Sequence, residues 1–264
     1  MKEYLKHKEE KSIHIIREAF EFFERAGLLW SLGKDSAVLL HLVKKAFLGK
    51  VPFPVMHIDT GFEFEKLVAW RDKTAKKMKL DLKIIKPDPP RLEMLADKVA
   101  FYHHHKTLPF LKFVKKNNLK AAYAGIRSDE HGIRAKEHYF SLRNPEGKLD
   151  FDQQPISVWD FYPHEAPEGC HFRIHPLLHW NEADIWEYIE QEKVPIPDLY
   201  FAKNGYRYRS LDCEPCCQPI KSKAKNIQEI IHEIKNSSDY ERQGRDQDKE
   251  DPHAMEKLRA LGYM

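Results

Sequence analysis

Residues 3 to 25 place Ile13, Ile16, Phe20 and Phe23 at helical spacing, so the chain opens on an amphipathic helix that runs out at Gly27. The apolar run Gly27 to Ser31 has the length of a buried strand. It breaks at Ser31-Leu32-Gly33-Lys34-Asp35-Ser36 and resumes as AVLLHLVKKAF, which is too long for a strand and reads as a buried helix. This strand, loop and helix unit recurs. Pro54 to Thr60 (PVMHIDT) precedes a helix near Phe64 to Met78, and LKIIKP precedes helical sequence around 91 to 117. Ala121 to Ile126 (AAYAGI) makes a fourth strand and Phe172 to Leu178 a fifth, the latter followed by the helix-like NEADIWEYIEQEK. The alternation predicts an α/β fold with a doubly wound, mostly parallel sheet that takes ligands at the carboxyl ends of its strands.

From about Asp198 the pattern changes to RYRSLDCEPCCQPIKSKAKN, then one helix over Asn226 to Lys235 and a polar end. We therefore expect an α/β domain over 1–200 and a C-terminal extension with a peripheral tail over 201–264. PEGKLDFDQQP at Pro145 to Pro155 reads as a loop inside the domain, and no internal repeat is visible.

Composition narrows the function classes. The 264 residues are 42% hydrophobic and 32% charged, as in an ordinary folded protein. With 44 basic against 41 acidic residues, the formal charge of +3 is too small for nucleic-acid binding by counterion release, so any anion site is local. Stretches without charge reach only about eight residues, far below the roughly 20 that span a bilayer. The N-terminal segment is charged from its second residue and lacks the apolar core of a secretory signal, which points to the cytoplasm. Cys213, Cys216 and Cys217 crowd into one pentapeptide rather than spreading as loop-closing pairs, so reduced thiols are expected.

The chemistry begins at Ser31–Ser36. A loop between a strand and a helix N-terminus offers unpaired amides and the positive end of the helix dipole to a phosphate. It is not a Walker A loop, because five residues separate Gly27 from Gly33 and Asp35 follows Lys34. A tight turn capped by Ser36 or Asp35 remains an alternative. His57, Asp59 and Thr60 close the second strand, where Asp59 and Thr60 could contact a nucleotide, order Mg²⁺ or cap the next helix. Arg127 stands just past the fourth strand, with Arg134, Lys136 and Arg143 following, a cation cluster suited to a small oxyanion; Asp129, Glu130 and Glu137 could instead pair with it. A pair spaced like Cys213-Glu214-Pro215-Cys216 could supply half of a zinc or iron–sulfur site, but only three cysteines cluster here, so buried or loop thiols without a bound metal are expected.

SLGKDS resembles the pyrophosphate loop, S-G-G-x-D-S, of the N-type ATP pyrophosphatases, with Leu32 departing from the commonest form. Together with KSIHIIREAF, PFPVMHIDTGFEFE, AGIRSDEHGIRAKEHYFSLR, HPLLHWNEADIWEYI, ERQGR and MEKLRALGYM, it resembles the small subunit of two-subunit sulfate adenylyltransferase nearly end to end. Tyr102-His103-His104-His105 and a missing insertion after Leu199-Tyr200 depart from that pattern. The resemblance implies a nucleotide-binding domain over 1–200 in which Ser31, Gly33, Lys34, Asp35, Ser36, His57, Asp59, Thr60, Gly125, Arg242 and Arg245 hold MgATP. It implies that Arg127, Asp129, Arg134 and Lys136, joined by Arg143 of the same cluster, face sulfate and the triphosphate, with Lys34, Asp35, Arg127, Arg134 and Lys136 catalytic. It also implies adenylyl sulfate as product and a GTPase large subunit as partner, with no nucleic acid or membrane. The alternatives are an APS/PAPS reductase-type enzyme with a cysteine-bound cluster and a non-catalytic ATP-binding subunit. The reductase pattern also wants an earlier Cys-Cys pair and a late cysteine, neither of which the sequence shows.

Overall fold

A computed structural model of the chain describes residues 1–149, 154, 162–163, 165–237, 241–244 and 253–263. Its centre is a six-stranded sheet built from β1 (Ala26–Leu29), β2 (Val55–Ile58), β3 (Leu82–Ile85), β4 (Ala121–Ala124), β5 (Phe140–Arg143) and β6 (His171–Ile174). The order is β3-β2-β1-β4-β6-β5, parallel except for β5, which pairs antiparallel to β6 at the edge. The chain runs outward from β1 to β3 and then returns to the other side of β1 with β4. The β1/β4 boundary is thus the switch point where a doubly wound sheet opens a crevice.

Period-two alternation assigns the two faces. Leu28, Val55, Ala121, Tyr123, Phe172 and Ile174 join a cluster with the buried faces of α1 (Glu3–Phe22), α2 (Lys34–Ala46), α3 (Glu65–Met78) and α6 (Glu182–Glu192). Met56, Ile85 and Ala122 point the other way, onto Phe110 and Val114 of α5 (Leu108–Asn117). α6 begins in a capping box, with Asn181 accepting from the Asp184 amide and Asp184 accepting from the Asn181 amide. Between the short α4 (Lys98–Tyr102) and α5, His103–Thr107 winds as a π-helical turn, at the stretch where the sequence departs from the family pattern.

Three expectations are corrected. Arg143 is expected in one cation cluster with Arg127, Arg134 and Lys136, but it lies in the buried strand β5, where Phe140 and Leu142 alternate with Ser141 and Arg143. The tail was expected to be peripheral. One side of it is buried instead: Met255 and Leu258 of α8 (Ala254–Ala260) pack with Phe101, Tyr102 and Cys213, and Glu241, Arg242 and Arg259 are buried as well, while His253, Glu256, Lys257 and Ala260 stay exposed. Buried ion pairs explain the mismatch, since Arg242 meets Glu130 and Arg259 meets Glu137, so a polar composition does not mean a solvated segment. Finally, Cys213 and Cys216 were expected as thiols and form a disulfide, because the turn through Pro215 brings their Cα atoms to 5.3 Å. Past Asp198 the chain also forms a two-stranded ribbon, β7 (Tyr206–Arg207) with β8 (Ile220–Lys221), and α7 (Ile227–Asn236); Leu211, Ala224 and Ile230 join the main core. Of the loop at 145–155, residues 150–153 and 155 lie outside the described residues.

Candidate active site

The loop after β1 carries Leu32 in the left-handed region at φ 63°, where the commonest form of the pyrophosphate loop has glycine. A leucine there is strained, and its complete burial in the main core offsets the strain. Gly33 is the N-cap of α2 and Lys34 its first residue. The Ser36 hydroxyl lies 3.1 Å from that of Ser31 and donates to the Gly33 carbonyl at 3.0 Å, which fixes the loop from within. The Lys34 amide donates to the Tyr200 hydroxyl at 2.8 Å.

The Lys34 side chain is 1% exposed. Its ammonium donates to Glu241 and lies 3.5 Å from Asp35. Burial works against the charge, but Asp35 and Glu241 outweigh it and raise the pKa. Arg127, fully buried, donates to Asp35, to Glu241 and, from Nε at 2.9 Å, to Asp129. Two cations and two carboxylates therefore interlock at the head of α2, with Glu241 of the tail in the position of an anion.

Beside them lies a cavity of about 190 Å³. Trp30, Met56, His57 and Ile58 form its less polar side; Ser31, Gly33, Lys34 and Asp35 line its loop end; Lys106, Arg134, Arg173 and Arg242 line it together with Glu63, Glu130 and Asp212, and Asp212 pairs with Lys106 while Glu130 pairs with Arg134 and Arg242. His57 donates from Nδ1 to the Trp30 carbonyl at 3.0 Å, leaving Nε2 buried without a partner. Burial pushes its pKa down to about 4, so the ring is neutral and Nε2 is an acceptor. Burial raises the pKa of Glu130, but Arg134, Arg127 and Arg242 overcome it and hold the carboxyl below its usual range.

Of the residues singled out from sequence, Ser31, Gly33, Lys34, Asp35, His57, Gly125, Arg134 and Arg242 line this cavity. Ser36 supports the loop, and Arg127 stands behind it. Asp129 accepts from the Glu182 amide at 2.8 Å and so ties α6 to Arg127. Asp59 accepts from the Gly61 amide and pairs with Arg71 at 3.3 Å, and Thr60 hydrogen-bonds Glu63; neither lines the cavity or caps α3, whose N-cap is Phe64. Lys136 is exposed, and Arg143 is engaged by Glu137 at 2.9 Å at the sheet edge; neither is brought to the cavity. Arg245 lies outside the described residues. Arg173, an arginine inside a strand, is not among the residues singled out from sequence, and sequence patterns gave no sign of Tyr200 and Glu241 as contacts of Lys34.

Gly125, just past β4, passes against the helix start. A Cβ there would stand 3.0 Å from the backbone C and O of Asp35 and from the Ser36 amide nitrogen. Gly125→Ala should force the loop away from β4 and weaken ATP binding by about tenfold or more with the fold retained, because placement at the site is sensitive to shifts of this order. Calorimetry of ATP binding checks it, and an unchanged affinity would show that the loop can give way.

Known proteins resemble this arrangement at two levels. A family profile described as the phosphoadenosine phosphosulfate reductase domain matches residues 25–219. Sulfate adenylyltransferase subunit 2 of Rhizobium etli is 36% identical over an alignment that covers 98% of this chain and 93% of that protein. This chain belongs to the sulfate adenylyltransferase subunit 2 family. A second member, from Aeromonas salmonicida, is also 36% identical, over 98% of this chain and 95% of its own length. Among solved structures, Candida glabrata FMN adenylyltransferase in complex with FMN and an ATP analogue superposes with a TM-score of 0.59 at 21% identity, over 82% of this chain and 64% of that one. Phosphoadenylyl-sulfate reductase from Candida auris does so at 0.51 and 18%, over 75% and 90%. These structural likenesses speak for the fold, which the family shares. No helix among the described residues is long and apolar enough to cross a membrane.

Proposed function

We propose that this family member catalyses MgATP + sulfate → adenylyl sulfate + diphosphate as the adenylylating subunit of a two-subunit enzyme. The observation that carries the reading is the buried Lys34 at the head of α2, in a switch-point cavity also lined by Arg134, Arg173 and Arg242, in a chain 36% identical to sulfate adenylyltransferase subunit 2. A sulfate oxygen attacks the α-phosphorus in line; the bond from that phosphorus to the bridging oxygen breaks, and diphosphate leaves into the Ser31–Ser36 loop. Lys34 and the loop amides take up the charge that develops on the leaving group. No covalent enzyme intermediate is needed. The Trp30 to Ile58 side takes the nucleoside, whose amino or hydroxyl hydrogens suit the acceptor Nε2 of His57. Arg127, relieved of Glu241 when the triphosphate enters, turns its charge to the phosphates, and Arg134 and Arg242 face them across the cavity.

We take Mg²⁺ to be the counter-ion of ATP. Of the carboxylates that line the cavity, Asp35 is the one at the loop, where it could share with the phosphate oxygens a cation that would offset their charge. The family's name makes the chain one part of an assembly. We take the other part to be a large subunit that hydrolyses GTP, in the cytoplasm. A phosphoric–sulfuric anhydride is a high-energy product, and a catalyst cannot shift its equilibrium. A coupled hydrolysis can.

The test compares the chain alone with the chain and its native partner. Sulfate-dependent isotope exchange between labelled diphosphate and ATP should appear, and GTP with the partner should raise steady-state adenylyl sulfate many-fold. Exchange that ignores sulfate overturns the reaction; product that accumulates equally without partner and GTP, diphosphate removal being equal, overturns the coupling.

A further inference from the structure

Among the guanidinium groups that line the cavity, one stands apart in its partners. Arg134 donates to Glu130, and Arg242 reaches the same carboxylate at 3.3 Å. Arg127, behind the loop, is held by Asp35, Asp129 and Glu241. Arg173 of β6 has no carboxylate within salt-bridge distance among the described residues. Its one polar contact is Nη2 to the Gly262 carbonyl at 2.9 Å, and its Nε has no hydrogen-bond partner. The nearest acid by charge, Glu137, is already engaged by Arg143, Arg259 and Ser141. The group is 2% exposed and lines the cavity, with its Cζ 5.0 Å from the centre of the Phe110 ring. A buried cation without a counter-charge is costly unless an anion completes it.

A second unpartnered donor faces the same cavity. Thr107, at the end of the π-helical turn and 3% exposed, has a buried hydroxyl without a partner. Both groups belong to elements apart from the loop: β6 lies two strands from β1, roughly 10 Å across the sheet. The diphosphate end of ATP occupies the loop and its helix, so the anion that Arg173 and Thr107 await is a separate one.

We propose that Arg173, with the Thr107 hydroxyl, forms the binding subsite for the tetrahedral oxyanion that accepts the adenylyl group, the sulfate dianion. This rests on the adenylyltransferase reading above and moves the sulfate pocket from Lys136 and Arg143, which the fold holds elsewhere, to the β6 wall. The planar guanidinium can present two parallel donors to two sulfate oxygens, whereas a lysine offers a point charge. Phe110 beneath it and the Gly262 carbonyl on Nη2 hold its plane, and the free Nε edge is the one left to bind.

The experiment uses the chain with its native partner and inorganic sulfate as probe. Arg173→Gln should raise the half-saturating sulfate concentration in the exchange reaction about ten- to a hundredfold, the loss expected for a charge-assisted hydrogen bond, while ATP affinity measured by calorimetry stays within about twofold. Arg173→Lys should recover part of that loss, and Thr107→Val should raise sulfate several-fold on its own. Since Arg173 sits in a strand, Thr107→Val and the lysine variant decide the matter if the glutamine variant fails to fold. Sulfate saturation unchanged in the folded variants, or ATP affinity lost while sulfate saturation holds, overturns the subsite. A wild-type complex whose exchange ignores sulfate overturns the function itself, a different result from a wild type that responds and variants that respond equally.

Discussion

Lys34→Ala should lower the rate of adenylyl transfer by about 10²–10³-fold at saturating ATP and sulfate, the usual cost of removing one preorganised donor from developing transition-state charge. The effect is expected in turnover more than in ATP affinity, because the diphosphate carries more charge at the loop when it leaves than while still joined to the α-phosphorus. The structure adds a reason to expect a folded variant. Without the ammonium, Glu241 keeps Arg127 as its counter-charge, and Asp35 keeps the same guanidinium. Single-turnover formation of adenylyl sulfate, beside circular dichroism, is the measurement. A folded variant with near wild-type turnover would show that the charge on the departing diphosphate is met elsewhere, and the loop would lose its assigned role.

The part of the site that was legible in the sequence is the part carried by local pattern. A strand, a short polar break with Gly33 and a buried helix can hardly be arranged otherwise, and the structure has that order, except that α2 already starts at Lys34, three residues before the apolar run from Ala37. The parallel strands were legible for the same reason, as short apolar runs bounded by turns. What failed to show was carried by long-range charge. Phe140–Arg143 hides its strand behind two arginines and a glutamate in the surrounding segment, and only the buried Arg143–Glu137–Arg259 set makes that composition compatible with an edge strand. Glu241 lies 207 residues from Lys34 in sequence, and no periodicity joins them. Arg173 could have been noticed as an arginine in an otherwise apolar strand, which is itself a signal, since a central strand buries such a group only with a partner or a ligand.

The protein should lose stability steeply as pH falls from 6.5 toward 4. His57, His175 and His179 each hold one ring nitrogen near a backbone carbonyl, of Trp30, His138 and Lys8 respectively, while the other nitrogen is buried without a partner. Burial lowers each to about 4, against 6.5 for a free imidazole. Above pH 6.5 neither folded nor unfolded chain is protonated at these rings, and they contribute no pH dependence. Between 6.5 and 4 the unfolded chain takes up protons that the folded chain refuses, so unfolding is favoured as pH falls, by up to about 3 kcal/mol per ring at the lower limit. Glu63, Asp129 and Glu182, raised by burial, oppose this, because the folded chain accepts their protons first. Glu137, lowered to about 2 against the burial that would raise it by Arg143, His175, Ser141 and Arg259, adds to the loss in the window below the ordinary glutamate range. Set against a typical domain stability of about 5–15 kcal/mol, three rings are enough to bring the unfolding transition within reach of pH 4 to 5. Urea midpoints at pH 7.5, 6, 5 and 4.5 measure it. His175→Asn should flatten the dependence whatever it costs at pH 7.5, since it removes a titrating group that the core keeps neutral. A midpoint constant from pH 7.5 to 4.5 whose pH dependence His175→Asn leaves unchanged would mean that these rings are protonated in the folded protein, and that the acceptor role given to Nε2 of His57 fails with them.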